Sequence, residues 1–128
     1  MSQNLIFVVD DDLFHHTILD YVISKNVKNP TLHFYGGIDC LKKLELAPKI
    51  IFLDCEMPGM DGVTTFQKIR EIDQAVFVIF ISGQEDTSKL QHLKALGAFD
   101  YIVKDKNMHL NIRYNLEKIR KIKPEIFQ

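Results

Sequence analysis

The chain has 128 residues, 46% hydrophobic and 26% charged, with a formal net charge of −1. That suits one domain with its own core and gives no global pull towards nucleic acid or an anionic membrane. No apolar run approaches the roughly 20 residues a spanning helix needs. Met1-Ser2-Gln3-Asn4 lacks the basic segment and long apolar core of a signal peptide. Cys40 and Cys55 show neither framework nor metal-ligand spacing, so a reducing cytoplasm is expected.

Leu5 to Val9 is a continuous, β-branched-rich apolar run, read as a buried strand that stops at Asp10-Asp11-Asp12. From Asp12 the period changes, and Ile18, Leu19, Val22 and Ile23 share one face of a helix to about Lys25. Asn29-Pro30 ends that unit, because the residue before proline is pushed out of the helical region. Thr31 to Tyr35 alternates polar and apolar, as an edge strand does. Gly36-Gly37 turns into a helix expected to point Ile38, Leu41 and Leu44 inward, closed by Pro48. Ile50 to Leu53 is the next buried strand, ending at Asp54.

After the turn Met57-Pro58-Gly59-Met60, Asp61 is a good N-cap for a helix with Val63, Phe66 and Ile69 inward. Val76 to Ile81 is the strongest strand and ends at Ser82-Gly83. Asp86 or Thr87 caps a helix whose apolar face is Leu90, Leu93 and Leu96, and Gly97 stands where a left-handed C-terminal cap belongs. Tyr101 to Val103 is a last short strand ending at Lys104. A final helix from about Asn107 buries Leu110 or Ile112, then Leu116 and Ile119, with Pro124 beyond it. Five strands alternating with five helices call for an α/β fold, a single (βα)5 doubly wound parallel sheet of flavodoxin-like type. With a polar second strand, the order 2-1-3-4-5 fits best.

In such sheets the ligand crevice lies at the carboxyl ends of the strands, where the strand order reverses. That places Asp10, Asp11 and Asp54 together, with Ser82 and Lys104 ending the neighbouring strands. Carboxylates this close repel one another, and a hard divalent cation such as Mg2+, with Mn2+ as its substitute, relieves the repulsion. Ser82 offers a hydroxyl, Lys104 a point charge, and Gly83 room for a close backbone approach. A carboxylate nucleophile so equipped suits attack on phosphorus. Asp54, taken as ionised at neutral pH, then needs no general base. The expected product is an aspartyl phosphate.

Val9-Asp10-Asp11, Leu53-Asp54, Met57-Pro58-Gly59-Met60-Asp61-Gly62, Ser82-Gly83 and Tyr101-Ile102-Val103-Lys104, in this order and spacing, resemble the receiver domain of bacterial response regulators. The resemblance spans residues 1–128, with a short basic tail over 121–128. It implies that Asp54 is the phosphoacceptor. Asp11 would be the direct Mg2+ ligand, Asp10 would act largely through water, and Glu56 would contribute its backbone carbonyl. Ser82 and Tyr101 resemble the switch pair, Lys104 the lysine that meets the phosphoryl group, and Glu56 and Gln84 the positions that tune phosphoryl lifetime. The donor would be a sensor histidine kinase or a phosphotransfer protein. The readout would be an unknown downstream effector, and the chain a cytoplasmic monomer or phosphorylation-dependent dimer that is no enzyme beyond its own phosphorylation and dephosphorylation. Asp105 replaces the proline common after this lysine and is expected to compete for its ammonium.

Three alternatives stand beside this. Asp54-Cys55-Glu56 also resembles an exonuclease metal motif, but little chain remains for the nucleic-acid cleft that reading needs. A Mg-dependent phosphatase is a related possibility, and a phosphorylation-independent receiver-like scaffold is the third. His15 and His16, on different helix faces, are expected to be solvated or partner-facing. Cys55 is expected to pack as a small residue rather than act as a redox switch. The basic segment Lys118 to Lys123 is expected to be a solvated helix end, with no direct nucleic-acid or membrane contact.

Overall fold

A computed structural model of the chain describes residues 3–128; Met1 and Ser2, part of the segment read above for a targeting signal, lie outside the described residues. The elements are β1 (Ile6–Val9), α1 (Leu13–Asn26), β2 (Thr31–Phe34), α2 (Gly37–Lys42), β3 (Ile50–Asp54), α3 (Gly62–Ile72), β4 (Phe77–Ser82), α4 (Thr87–Ala95), β5 (Asp100–Val103) and α5 (Met108–Ile122). The strands form one parallel sheet in the order β2-β1-β3-β4-β5, as expected. Among the described residues, no helix is long and apolar enough to cross a membrane.

Strand side chains alternate between the two faces of a sheet, and here both faces are dry. Ile6, Val8, Ile50, Phe52, Ile79 and Ile81 form one core with Leu19, Ile23, Ile112, Leu116 and Ile119 of α1 and α5. Phe7, Val9, Ile51, Leu53, Val78 and Phe80 form the other, with Phe66, Ile69 and Leu93 of α3 and α4. Burying each large side chain stabilises the fold by about 1.5–3 kcal/mol, so the central strands dominate.

Helix starts follow the sequence signals. Asp12, Asp61 and Asp86 accept from the backbone N–H of Phe14, Thr64 and Lys89 at 2.9, 2.8 and 3.1 Å. Gly97 takes φ +103° just past α4.

The helix faces need three corrections, and one open choice is settled in α5. In α2, Cys40 and Leu44 are buried, Leu41 is partly buried and Ile38 is exposed. Gly37 packs directly on Thr65 of α3, which fixes that face, and the helix gives way to a 3-10 turn over Leu44–Leu46. In α4, Leu93 is buried but Leu96 is exposed, because it is the C-cap where the chain leaves the helix. In α5, Ile112 is the buried residue and Leu110 faces out. His16 is buried at 3% exposure rather than solvated, on the same side of α1 as Leu19 and Ile23. Beyond α5, Pro124–Phe127 makes a 3-10 turn that folds back and seats Ile126 in the first core.

Candidate functional site

Parallel register brings the strand ends level. Val9 lies opposite Leu53, Asp54 opposite Ile81 and Ser82 opposite Val103, and the N–H of Lys104 donates to the Ser82 carbonyl at 2.7 Å. Asp10, Asp54, Ser82 and Lys104 therefore meet at one edge, across the point where the order of strands turns from β1 to β3. Asp10 and Asp54 are 1% and 2% exposed, whereas Asp11 faces solvent.

Asp10, Asp11 and Asp54 can each offer one carboxylate oxygen, all within 4.8 Å of one another. Lys104 Nζ lies 3.1 Å from Asp10 Oδ2 and 3.3 Å from Asp54 Oδ1. The Glu56 N–H also donates to Asp54 Oδ1, at 3.3 Å. Asp10 Oδ1 accepts from the Asp12 N–H at 2.8 Å, but buried Asp10 Oδ2 has the Lys104 charge nearby without an aligned hydrogen-bond donor. One cation thus serves two buried carboxylates.

That imbalance sets the electrostatics. Burial first, and then the charge of Asp10, push the Asp54 carboxyl up to about 7 against the pull of Lys104 and the Glu56 N–H. In the metal-free chain this works against the ready ionisation of Asp54 expected from the sequence. Burial alone would lower Lys104, but Asp54 and Asp10 outweigh it and hold the ammonium above its ordinary value. Three hard oxygen donors gathered at one spot, with a single ammonium to offset the two buried carboxylates among them, fit a divalent cation such as Mg2+.

Ser82 is fully buried, and its hydroxyl donates to Glu56 Oε1 at 2.7 Å, with Oε2 at 3.1 Å. The Gln84 N–H donates back to Ser82 Oγ at 3.2 Å, and the Tyr101 hydroxyl donates to the Gln84 carbonyl at 2.7 Å. Gln84 thus takes part through its backbone. Tyr101 is buried beside a cavity of about 110 Å3 that Glu85, Asp86, Leu90 and Val103 also line. Gly83 is exposed, with open space where a Cβ would stand.

Asp105 does not compete for Lys104. Its carboxylate accepts from the Asn107 N–H at 2.8 Å, turning the chain into α5, and the described residues contain no cis peptide bond. Burial pushes the Cys55 thiol up to about 12, which suits a packed rather than a reactive cysteine.

Several neighbours escaped the sequence. His16 Nε2 donates to the Asp10 carbonyl at 2.7 Å, fixing the strand end; its spacing from Leu19 and Ile23 was a usable sign of burial. His15 accepts from Lys104 Nζ at its Nδ1, 3.2 Å away, and lies 3.5 Å from Asp10. Lys89 lies 3.5 Å from Glu56 Oε2 by virtue of the α4 packing, which no local pattern announces. Gly62 lets α3 start against the end of β3: a Cβ there would collide with the Asp54 carbonyl and come within 2.8 Å of Cys55 Cα. Gly62→Ala is accordingly expected to lower stability by about 2–3 kcal/mol, the upper range for overpacking, because only backbone can yield. The urea midpoint measures it, and an unchanged midpoint contradicts the close approach.

Residues 6–113 match the family described as "Response regulator receiver domain". Chemotaxis protein CheY of Bacillus subtilis (strain 168) is 30% identical over 100 residues, 77% of this chain and 83% of CheY. A protein-glutamate methylesterase/protein-glutamine glutaminase of Methanospirillum hungatei JF-1 is 32% identical over 115 residues, 84% of this chain but only 32% of that protein. The chain thus spans about a third of the length of the methylesterases it matches. In the Borrelia burgdorferi CheX-CheY-BeF3-Mg complex, a chain of 24% identity superposes with a TM-score of 0.80, over 90% of this chain and 87% of that one, and so shares the fold. Sheet order, the acidic edge and the matched span agree: the chain belongs to the response regulator receiver domain family.

Proposed function

We propose that the chain accepts a phosphoryl group on Asp54 from a phosphohistidine of a sensor histidine kinase or phosphotransfer protein. One observation carries this: a buried Asp54, ringed by Asp10 and Asp11, lies 3.3 Å from the Lys104 ammonium at the open edge of the sheet. An Oδ–P bond forms at Asp54 as the P–N bond of the donor breaks, and the electron pair leaves with the imidazole. Lys104 offsets charge on the phosphoryl oxygens and lets an anionic donor approach an anionic acceptor. Asp11 and Asp54 would hold Mg2+ directly, together with the Glu56 carbonyl, with Asp10 acting through water. The ion supplies charge neutralisation at the carboxylates and the phosphoryl oxygens.

Ser82 and the Gly83 N–H would then take phosphoryl oxygens, and Tyr101 would leave its Gln84 partner as the α4–β5–α5 face repacks. Glu56 and Gln84 would set the phosphoryl lifetime. The chain would be a cytoplasmic signalling module over residues 1–128 and no enzyme beyond its own phosphorylation and dephosphorylation. Its partners would be a phosphodonor and a downstream effector rather than nucleic acid or membrane, and the last two helices would be the face of any phosphorylation-dependent dimer.

Titration of the metal-free protein with Mg2+ under NMR tests the site itself. We expect amide shifts concentrated at residues 10–12, 54–57 and 104, and their loss in Asp11→Ala. No local shift as Mg2+ is raised to saturation contradicts it.

A further inference from the structure

Ser82 has one hydroxyl proton, and it is already committed. Both oxygens of Glu56 sit on it, at 2.7 and 3.1 Å, while the Gly83 N–H points at Glu56 Oε1 from 3.3 Å and Lys89 Nζ stands 3.5 Å from Oε2. A hydroxyl, a backbone N–H and an ammonium converging on one carboxylate make a small anion cradle. The donors belong to β4, the loop after it and α4, whereas the anion comes from the loop after β3. Glu56 therefore bridges from Asp54, which its own N–H contacts at 3.3 Å, to the Ser82 end of the site.

Two of these three donors are those assigned above to phosphoryl oxygens. Resting on the phosphoacceptor function proposed above, we propose that the Glu56 carboxylate is a built-in anion that fills the phosphoryl cradle of the resting chain. It must leave before Ser82 and Gly83 can bind a phosphoryl oxygen. A serine hydroxyl cannot donate its one proton to both anions, and a carboxylate left beside a phosphoryl group is repelled by it. Phosphorylation thus replaces one anion by another on the same donors. Lys89 steadies the resting position, because its ammonium stands 3.5 Å from Glu56 Oε2. Because Lys89 sits in the first turn of α4 and its N–H meets the capping Asp86 at 3.1 Å, release of Glu56 also frees the α4 end of the Ser82–Tyr101 face.

Glu56 is a positioning residue here, since it acts through Ser82 and Gly83. It is exposed enough that truncation spares the core. The test is titration of wild type, Glu56→Gln and Glu56→Ala with Mg2+ plus beryllofluoride, followed by NMR at the Gly83 amide and by calorimetry. Glu56→Ala should bind about tenfold more tightly than wild type, the loss of one charge-assisted competitor, with Glu56→Gln in between. Repeating the comparison in a Ser82→Ala background should shrink that gain to about twofold or less, because the competitor then has lost its main donor. Lys89→Ala should also tighten binding, by a smaller factor. Equal or weaker binding in Glu56→Ala, or an undiminished gain without Ser82, overturns the proposal while leaving the phosphoacceptor function intact. If wild type and variants alike fail to bind beryllofluoride with Mg2+, the phosphoacceptor function fails and the role of Glu56 as its resting anion with it.

Discussion

Asp54→Asn is expected to abolish phosphoryl labelling from any phosphohistidine donor and, in the same stroke, to make the metal-free protein more stable. The first effect removes the nucleophile. The second follows from the carboxyl that burial and Asp10 push up to about 7. Its folded value lies above the unfolded value of 3.8, so the stability linked to its proton is fully present below about 4 and is lost as pH rises to about 7. Above that window the chain carries a buried charge that it shares one ammonium to offset. A shift of this size corresponds to about 4 kcal/mol at most, and the amide gives up an ion pair with Lys104. A gain of roughly 1–3 kcal/mol at pH 8 is therefore expected. Urea unfolding of both proteins between pH 5 and 8 without metal measures it. The difference should grow with pH and shrink when Mg2+ is added, since only the carboxylate is stabilised by the ion. A variant less stable at pH 8, or a difference independent of pH, contradicts the electrostatic account of the site.

Lys104→Ala should act in the opposite sense on the fold. Its ammonium is the cation within 3.1 and 3.3 Å of Asp10 and Asp54, and its removal leaves two carboxylates facing each other inside the sheet edge. Breaking a buried pair from one side costs about 3–5 kcal/mol, and Asp54 escapes part of that by taking up a proton. We expect a loss of about 3 kcal/mol at pH 8 without metal, smaller at pH 5, and partly restored by Mg2+. Phosphoryl uptake should slow about a hundredfold, as when one preorganised donor to a developing anion is removed. Stopped-flow or quench labelling against the same donor measures the rate. Unchanged stability together with an unchanged rate would mean that Lys104 is a surface lysine after all.

The sheet was legible because each strand announces itself: unbroken apolar runs for β1, β3 and β4, and an alternating one for β2 at the edge. The same runs end at Asp10, Asp54 and Ser82, so the site edge was legible too. The apolar helix residues that face outward have a common physical cause. Ile38, Leu96 and Leu110 lie where helices are short, ending or just beginning, and there a residue's face depends on what the neighbouring element allows, not on period. His16 shows the reverse: its period was informative, but a polar side chain on a buried face is only explained once the Asp10 carbonyl is seen within 2.7 Å. The chemistry of Glu56 was half visible. Its position two residues past Asp54 marks it, yet its grip on Ser82 spans 26 positions and exists only because β3 and β4 are paired.

The most direct test of the whole account is chemical identification of the acceptor. The chain, phosphorylated by a histidine kinase in the presence of Mg2+, is treated with sodium borohydride, which reduces an aspartyl phosphate to homoserine, and then digested and sequenced by mass spectrometry. The account predicts homoserine at position 54, none elsewhere, and none when Mg2+ is chelated before phosphorylation. Homoserine at another aspartate, or stable label on a serine or histidine with Asp54 unmodified, would contradict it.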